Sequence, residues 1–352
     1  MEHPGLELER KLINAGMTRK ELALRTGVSE KHISTIINGE RDISMSFARK
    51  LGYVFENAKF WVNLQSNYDE DQQRIKDEKN ISQEEINILK SLNEITTYFN
   101  KRGYIHINSK ETSKVIELRS FLNISNLALI PKITYNAAYR VQLSTNVKVD
   151  SYVLFAWQRL CEKETENISV SSNLNIEKLR DSLDNIKQIM FGDIKNGIQD
   201  LQRLFAECGI AFQVVRNFKG APVQGFIKET TDKHLILCMT IRRKRADTFW
   251  FTLYHEIAHI LYGDYSNRFV DFDSIDNEKE IRADNFARDQ LIPPTLYREF
   301  IFSGKYNSWA GIEEFAKSAG VKPYIVLGRL QKDEILDWSS YPEKIVKYKW
   351  AK

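Results

Sequence analysis

From Phe249 to Leu261 the chain sets Phe249, Trp250, Leu253, Tyr254, Ile257, Ile260 and Leu261 around a helical period, leaving free of apolar side chains the face of His255 and His259. A helix apolar on nearly every side belongs in an interior, and this one must take two imidazoles and the Glu256 carboxylate in with it. Histidines four apart project from one face a single turn apart, so both rings can reach one divalent cation, with the intervening carboxylate beside it. Burying these groups without partners is costly, and a cation with its bound water supplies the partners. Asp247 is placed to cap the start of this helix and Gly263 to end it.

A second helix is expected from Asp276 to Leu291, closed by Pro293-Pro294. Glu280 is the candidate third ligand, because a catalytic zinc takes three protein ligands and keeps a fourth position for water. Asp284, one turn further on the same face, is placed to accept the second N–H of a ligating histidine and fix its tautomer. This is the layout of a water-activating zinc peptidase. Glu256 is then the catalytic base, taking a proton from water and passing it to the leaving amine. Zn2+ is the default ion, although a site of two histidines and one carboxylate also suits Mn2+ or Fe2+.

These residues carry a family resemblance. The run Phe249-Trp250-Phe251-Thr252-Leu253-Tyr254-His255-Glu256-Ile257-Ala258-His259, then Glu280-x-x-Ala283-Asp284-x-Phe286-Ala287 and Leu291-Ile292-Pro293, resembles the ImmA/IrrE metallopeptidases. Pro293 arrives one residue early for that pattern, and Pro294 fills the usual place. The resemblance implies that His255, His259 and Glu280 bind metal, that Glu256 is the base, and that the substrate is a protein, often a partner transcriptional repressor. Val326 to Gln331 resembles the helical end of the same group and is assigned to scaffolding.

The amino-terminal segment follows a different logic. Thr18-Arg19-Lys20-Glu21 is a capping box opening a short helix, Gly27 marks a tight turn, and Ser29 opens a second helix running to Gly39. Leu22, Ala23, Val28, Ile33, Ile36 and Ile37 are the expected core, while Glu30, Lys31, His32, Thr35 and Asn38 face outward, a pattern suited to the major groove. Charge does not decide the matter: residues 1–60 hold ten Lys/Arg against eight Asp/Glu. Met17 to Asp69 is similar to the HigA-type antitoxin branch of the Cro/repressor helix-turn-helix family, matching at Gly27-Val28-Ser29, Ile36 to Arg41, Ile43-Ser44 and Phe60 to Asp69. That resemblance implies that Ser29, Lys31, His32, Thr35 and Asn38 meet bases or backbone, with Arg19 and Arg41 near phosphates. Arg19 stands where a glutamine is common.

Between these ends, Asp69 to Asn80 holds eight charges in twelve residues and reads as a polar hinge or an extended charged helix. Residues 81–160 are mostly helical in pattern, with Val115, Ile116, Leu118, Phe121 and Leu122 as a core stripe. Leu118 to Leu122 and the pair Tyr139-Arg140 resemble the spacer of longer regulators carrying this peptidase. Ala211 to Phe218, Gln224 to Lys228 and His234 to Arg242 suggest a small antiparallel sheet. Zinc peptidases of this design add substrate as a strand along a sheet edge. Arg242-Arg243-Lys244-Arg245 reads as a solvated charge run or as a contact for acidic substrate or nucleic acid. Tyr262 is a candidate to stabilise an oxyanion, or else a core aromatic.

The expected architecture is therefore multidomain: an all-α helix-turn-helix domain over 1–69, a charged linker over 70–80, a helical spacer over 81–163, and an α+β zincin-like metallopeptidase domain with a small antiparallel sheet over 176–340. At 352 residues, 42% hydrophobic and 28% charged, the chain suits several ordinary cores. Residues 1–7 are acidic with no apolar stretch, and the longest apolar run is too short to span a bilayer. Cys161, Cys208 and Cys238 are odd in number and scattered, fitting a reducing cytoplasm. The expectation is a cytoplasmic regulator that binds operator DNA, possesses a zinc endopeptidase acting on a repressor or antitoxin-like protein, and pairs as a homodimer through its helix-turn-helix. The alternative is a HigA-like DNA-binding antitoxin or repressor whose zincin domain is structural or sensory.

Overall fold

The computed structural model describes residues 2–55, 57–106, 110–133, 138–140, 150–170, 173–265 and 277–350. Asp276, expected to open the second site helix, lies outside them. The chain is mostly helical and divides into two compact units, Met1–Asn87 with His106–Leu118, and Ile88–Ile105 with Arg119–Lys352.

The first unit contains α1 (Pro4–Asn14), α2 (Arg19–Thr26), α3 (Glu30–Ile37), α4 (Met45–Val54) and α5 (Ala58–Lys79). Four of these start alike: the side chains of Thr18, Ser29, Ser44 and Asn57 each accept a hydrogen bond from the backbone N–H three residues on. Each such cap is worth about 1 kcal/mol. Between α2 and α3, Gly27 takes a left-handed conformation (φ +63°) that a side chain would oppose, which sets the tight turn. Leu22, Ile33, Ile36 and Ile37 are buried as expected, joined by Leu8, Leu12, Phe47, Leu51 and Trp61 from the flanking helices. Ala23 and Val28 are only half-buried against that core. Of the two readings of the charged stretch after Asp69, α5 realises the helix, running unbroken to Lys79.

Helices α6 (Gln83–Ser91), α7 (Asn93–Lys101) and α8 (Glu111–Leu122) follow. Val115, Leu118, Phe121 and Leu122 of α8 are buried, whereas Ile116 is half-exposed. The strand β1 (Ala138–Arg140) precedes α9 (Ser151–Thr165), α10 (Ile176–Asp181), α11 (Leu183–Ile189) and α12 (Ile194–Glu207). Then come β2 (Ile210–Val214), β3 (Gly225–Glu229) and β4 (Leu235–Met239), and helices α13 (Ala246–Leu261), α14 (Asn277–Leu291), α15 (Pro294–Ser303), α16 (Trp309–Ser318) and α17 (Pro323–Lys332).

The sheet corrects the expectation of an antiparallel one. Its order is β1-β3-β4-β2, with β3–β4 and β1–β3 antiparallel but β2–β4 parallel. Residues 215–224 carry the chain past β4, so β3 lands on the far side of β4 from β2; alternation identifies a strand but not its direction. The outer edge of β3 is occupied over three residues by β1, Tyr139 opposite Phe226.

β4 is buried along its whole length, as its apolar run Leu235 to Met239 requires of a strand covered on both faces. Helix α13 packs on the sheet, and α9 also contacts it; Trp157 of α9 meets the Phe226 ring at 5.7 Å and donates its N–H to the Arg216 carbonyl. The three cysteines are free and buried. Among the described residues no helix is long and apolar enough to cross a membrane.

Candidate metal centre and nucleic-acid interface

Helix α13 is interior over nearly its whole length, including His255, Glu256 and His259. Its large polar-tipped side chains are satisfied locally: Trp250 donates to the Tyr348 hydroxyl at 2.9 Å and the Tyr254 hydroxyl to the Leu183 carbonyl at 2.8 Å. Burial pushes the Tyr254 phenol well above its ordinary value, so it stays a neutral donor. The expected cap is corrected. Arg245, extended, precedes the helix, and Asp247 lies in its first turn, taking a two-pronged ion pair from Arg245 at 2.8–3.2 Å. Gly263, in the left-handed region at φ +72°, follows the helix end.

Helix α14 reaches α13 through Ala283, Ala287 and Leu291, all buried and spaced four apart. The two alanines allow close approach, and the adjoining stripe brings Glu280 and Asp284 over the histidines. His255 Nε2 lies 3.3 Å from Glu280 Oε2 and 3.3 Å from His259 Nε2, and the three ligand atoms all fall within 4.8 Å of one another. Ligands about 2.0–2.1 Å from one ion in tetrahedral order stand about 3.3 Å apart, so the two short edges have the right length for a shared metal.

The other ring nitrogens fix the tautomer. His255 Nδ1 is 2.6 Å from Asp284 Oδ1, and His259 Nδ1 is 3.2 Å from Asp264 Oδ2. An ionised carboxylate only accepts, so each Nδ1 carries a proton, and the neutral form of each ring then turns its lone pair toward the other ligands at Nε2. With both rings neutral, two lone pairs and the Glu280 oxygen converge on one small volume. Three acceptors facing one another repel, and a cation among them removes the conflict. The triad His255, His259 and Glu280 thus has the donor chemistry to hold a metal ion.

Asp264 escaped the sequence reading. It is buried just beyond the helix and accepts from Arg282 at 3.0 and 3.1 Å, so a cation on α14 holds the carboxylate that holds His259. Tyr262 is neither core nor aimed at the ligands: it is 39% exposed, beneath the Arg282 guanidinium at 4.2 Å and edge-on to Phe286. Glu256, only 2% exposed, packs against β3. A Cβ on Gly225 would come within 2.2 Å of its Oε1, so only glycine leaves that carboxylate its place.

In the first unit, a concave surface is lined by Ser29, Lys31, His32, Thr35 and Arg41 together with Ser44, Ser46 and Lys50. Arg41 lies 2.9 Å from His32 Nδ1. Burial first, then the charges of Arg41 and Lys50, lower the His32 pKa, favouring a neutral ring in the free protein.

The helix-turn-helix family profile matches residues 6–52. The amino-terminal segment is a helix-turn-helix domain. Virulence-associated protein A' of Dichelobacter nodosus is 41% identical over 69 residues, which are 19% of this chain and 60% of that protein. Of the residues expected to meet nucleic acid, the helix-turn-helix domain gathers Ser29, Lys31, His32, Thr35 and Arg41 on its groove. Arg19 instead pairs with Glu9 at 2.9 Å, and Asn38, exposed at the end of α3, is outside the lining. The Ser29 hydroxyl accepts from the His32 N–H and the Thr35 hydroxyl donates to the His32 carbonyl, so both also hold α3 together. Ser44, Ser46 and Lys50 were missed because they belong to the next helix, and no local pattern reports that α4 borders the groove.

Proposed function

We propose that this chain is a DNA-binding regulator whose second unit is a metal-dependent endopeptidase acting on a partner regulatory protein. The observation that carries the enzymatic half is the convergence of His255, His259 and Glu280, with both rings oriented by carboxylates and Glu256 beside them. The same residues support the resemblance to the ImmA/IrrE metallopeptidases. When bound, Zn2+ would lower the pKa of a water to about 7 and polarise a carbonyl. Asp284 and Asp264 hold the rings through Nδ1, so that each Nε2 is aimed at the shared site. Glu256, held between α13 and β3, accepts the proton of the attacking water and returns it to the leaving nitrogen.

The helix-turn-helix domain supports the regulatory half, with Lys31, Arg41 and Lys50 supplying phosphate contacts and α3 entering the major groove. Selection from a random duplex pool with the full chain tests it. An enriched sequence is expected, and each lost cation should shallow the log–log salt slope by about 1. Incubation with proteins encoded beside the gene tests the other half. Cleavage abolished by Glu256→Gln supports a peptidase, whereas operator binding with no proteolysis under any metal supply favours a regulator whose second unit is structural or sensory.

A further inference from the structure

We infer that the second unit holds, one helical turn before the metal triad, a pocket for a carboxylate on an apolar stem. A cavity of about 120 Å³ lies between α13, α14 and α17. An apolar cavity of about 150 Å³ accommodates benzene, so the space suits one small ring or one side chain. Its floor is Phe251, Leu291, Ile292 and Ile325, with the Thr248 and Thr252 hydroxyls and the Gln224 amide on one wall.

The charge around this space is one-sided. Of the ionisable groups lining it, Asp247 is answered by Arg245 at 2.8 Å and Arg329 by Asp333 at 2.6 Å. Arg243, Arg288 and Lys332 remain, and among the described residues no carboxylate pairs with any of them. Among the described residues Arg288 donates only to the neutral Asn285, at 3.4 Å. Arg243, Lys332 and Trp338 are exposed at the rim while Arg288 is half-buried, so cations border an apolar interior. A carboxylate offers acceptors to two guanidiniums and an ammonium while its stem enters the cavity.

The pocket also adjoins the chemistry. The Phe251 ring is 6.2 Å from that of His255, and the Thr252 hydroxyl donates to Gln224, the residue before the glycine packed on Glu256. An acidic side chain or chain terminus of a substrate, or a free small carboxylic acid, presents the same group there.

Calorimetry of the full chain with phenylacetate and with the uncharged phenylacetamide tests the inference, run with and without chelator so that an anion held by a bound metal is told apart. Phenylacetate is expected to bind at least tenfold tighter than the amide in both conditions. Lys332→Glu and Arg288→Gln should each weaken it by about five- to tenfold, because charge-assisted hydrogen bonds are lost. Lys332 is exposed, so that variant is expected to fold. A short peptide ending in phenylalanine, as free acid and as amide, distinguishes the sources: tighter binding of the peptide acid assigns the pocket to protein substrates, and tighter binding of phenylacetate assigns it to a free acid. Equal binding of acid and amide, binding unchanged by both substitutions, or no binding by either acid overturns the inference. None of these readouts requires turnover, so failure of the peptidase reading would leave them unaffected.

Discussion

Gly225 and Glu256 meet so closely that a methyl group on the glycine would sit 2.2 Å from the carboxylate oxygen. The contact joins β3 to the candidate base of α13, and β3 thereby determines where Glu256 points. Gly225→Ala should leave metal content near that of the native protein while lowering turnover by about a hundredfold, since a displacement near 1 Å costs that much in a positioned group. Metal analysis beside a cleavage assay reads both, and full activity in the variant would contradict this role for the contact.

Asp264 and Asp284 should matter to the metal without touching it. Asp264→Asn and Asp284→Asn each release one ring to turn or change tautomer, and each is expected to weaken metal affinity by about 10- to 100-fold. Competition against a chromophoric chelator measures the effect. Affinity unchanged in both variants would show that the rings are held by something else.

Proton linkage at His32 gives the nucleic-acid groove a pH signature. The folded ring has a lowered pKa, so the unfolded chain binds this proton more readily, and the stability contributed by the neutral ring begins to fall below the ordinary imidazole value of about 6.5 and is gone once pH passes the lowered folded value. A bound phosphate has the opposite sign: it favours the charged ring, so complex formation takes up a proton. Duplex affinity should therefore rise as pH falls from about 7.5 to 5.5. Anisotropy titrations should find the rise blunted in His32→Gln; a rise of equal size in that variant would exclude His32 as its source.

The parts of the site legible in the sequence are those that helical periodicity fixes. His255, Glu256 and His259 share one helix, and Glu280 with Asp284 share another whose buried Ala283 and Ala287 mark the face turned inward. What escaped depends on where the chain goes between elements. Asp264 follows Gly263, where the helical period has ended, and only the folded chain brings it to His259 and Arg282. Tyr262 keeps the spacing of His255 on paper, but it sits past the last helical residue and turns out to Arg282. Alternation marked the strands of the sheet yet carried no direction, so the parallel pairing of β2 with β4 went unseen. For β1, the pair Tyr139-Arg140 stood out, although nothing nearby announced a strand lying on β3. Asp247 looked like a cap because acidic residues favour helix starts, but Arg245 draws its carboxylate into an ion pair inside the first turn.

The peptidase activity proposed for the second unit requires that His255, His259 and Glu280, from two helices, hold one metal ion. Metal content of the full chain, purified without added chelator and analysed by elemental mass spectrometry beside His259→Ala and Glu280→Ala, tests it most directly. About one transition-metal ion per chain is expected in the native protein and far less in both variants. No bound ion at any metal supply, or an ion retained equally when both His259 and Glu280 are removed, would contradict it.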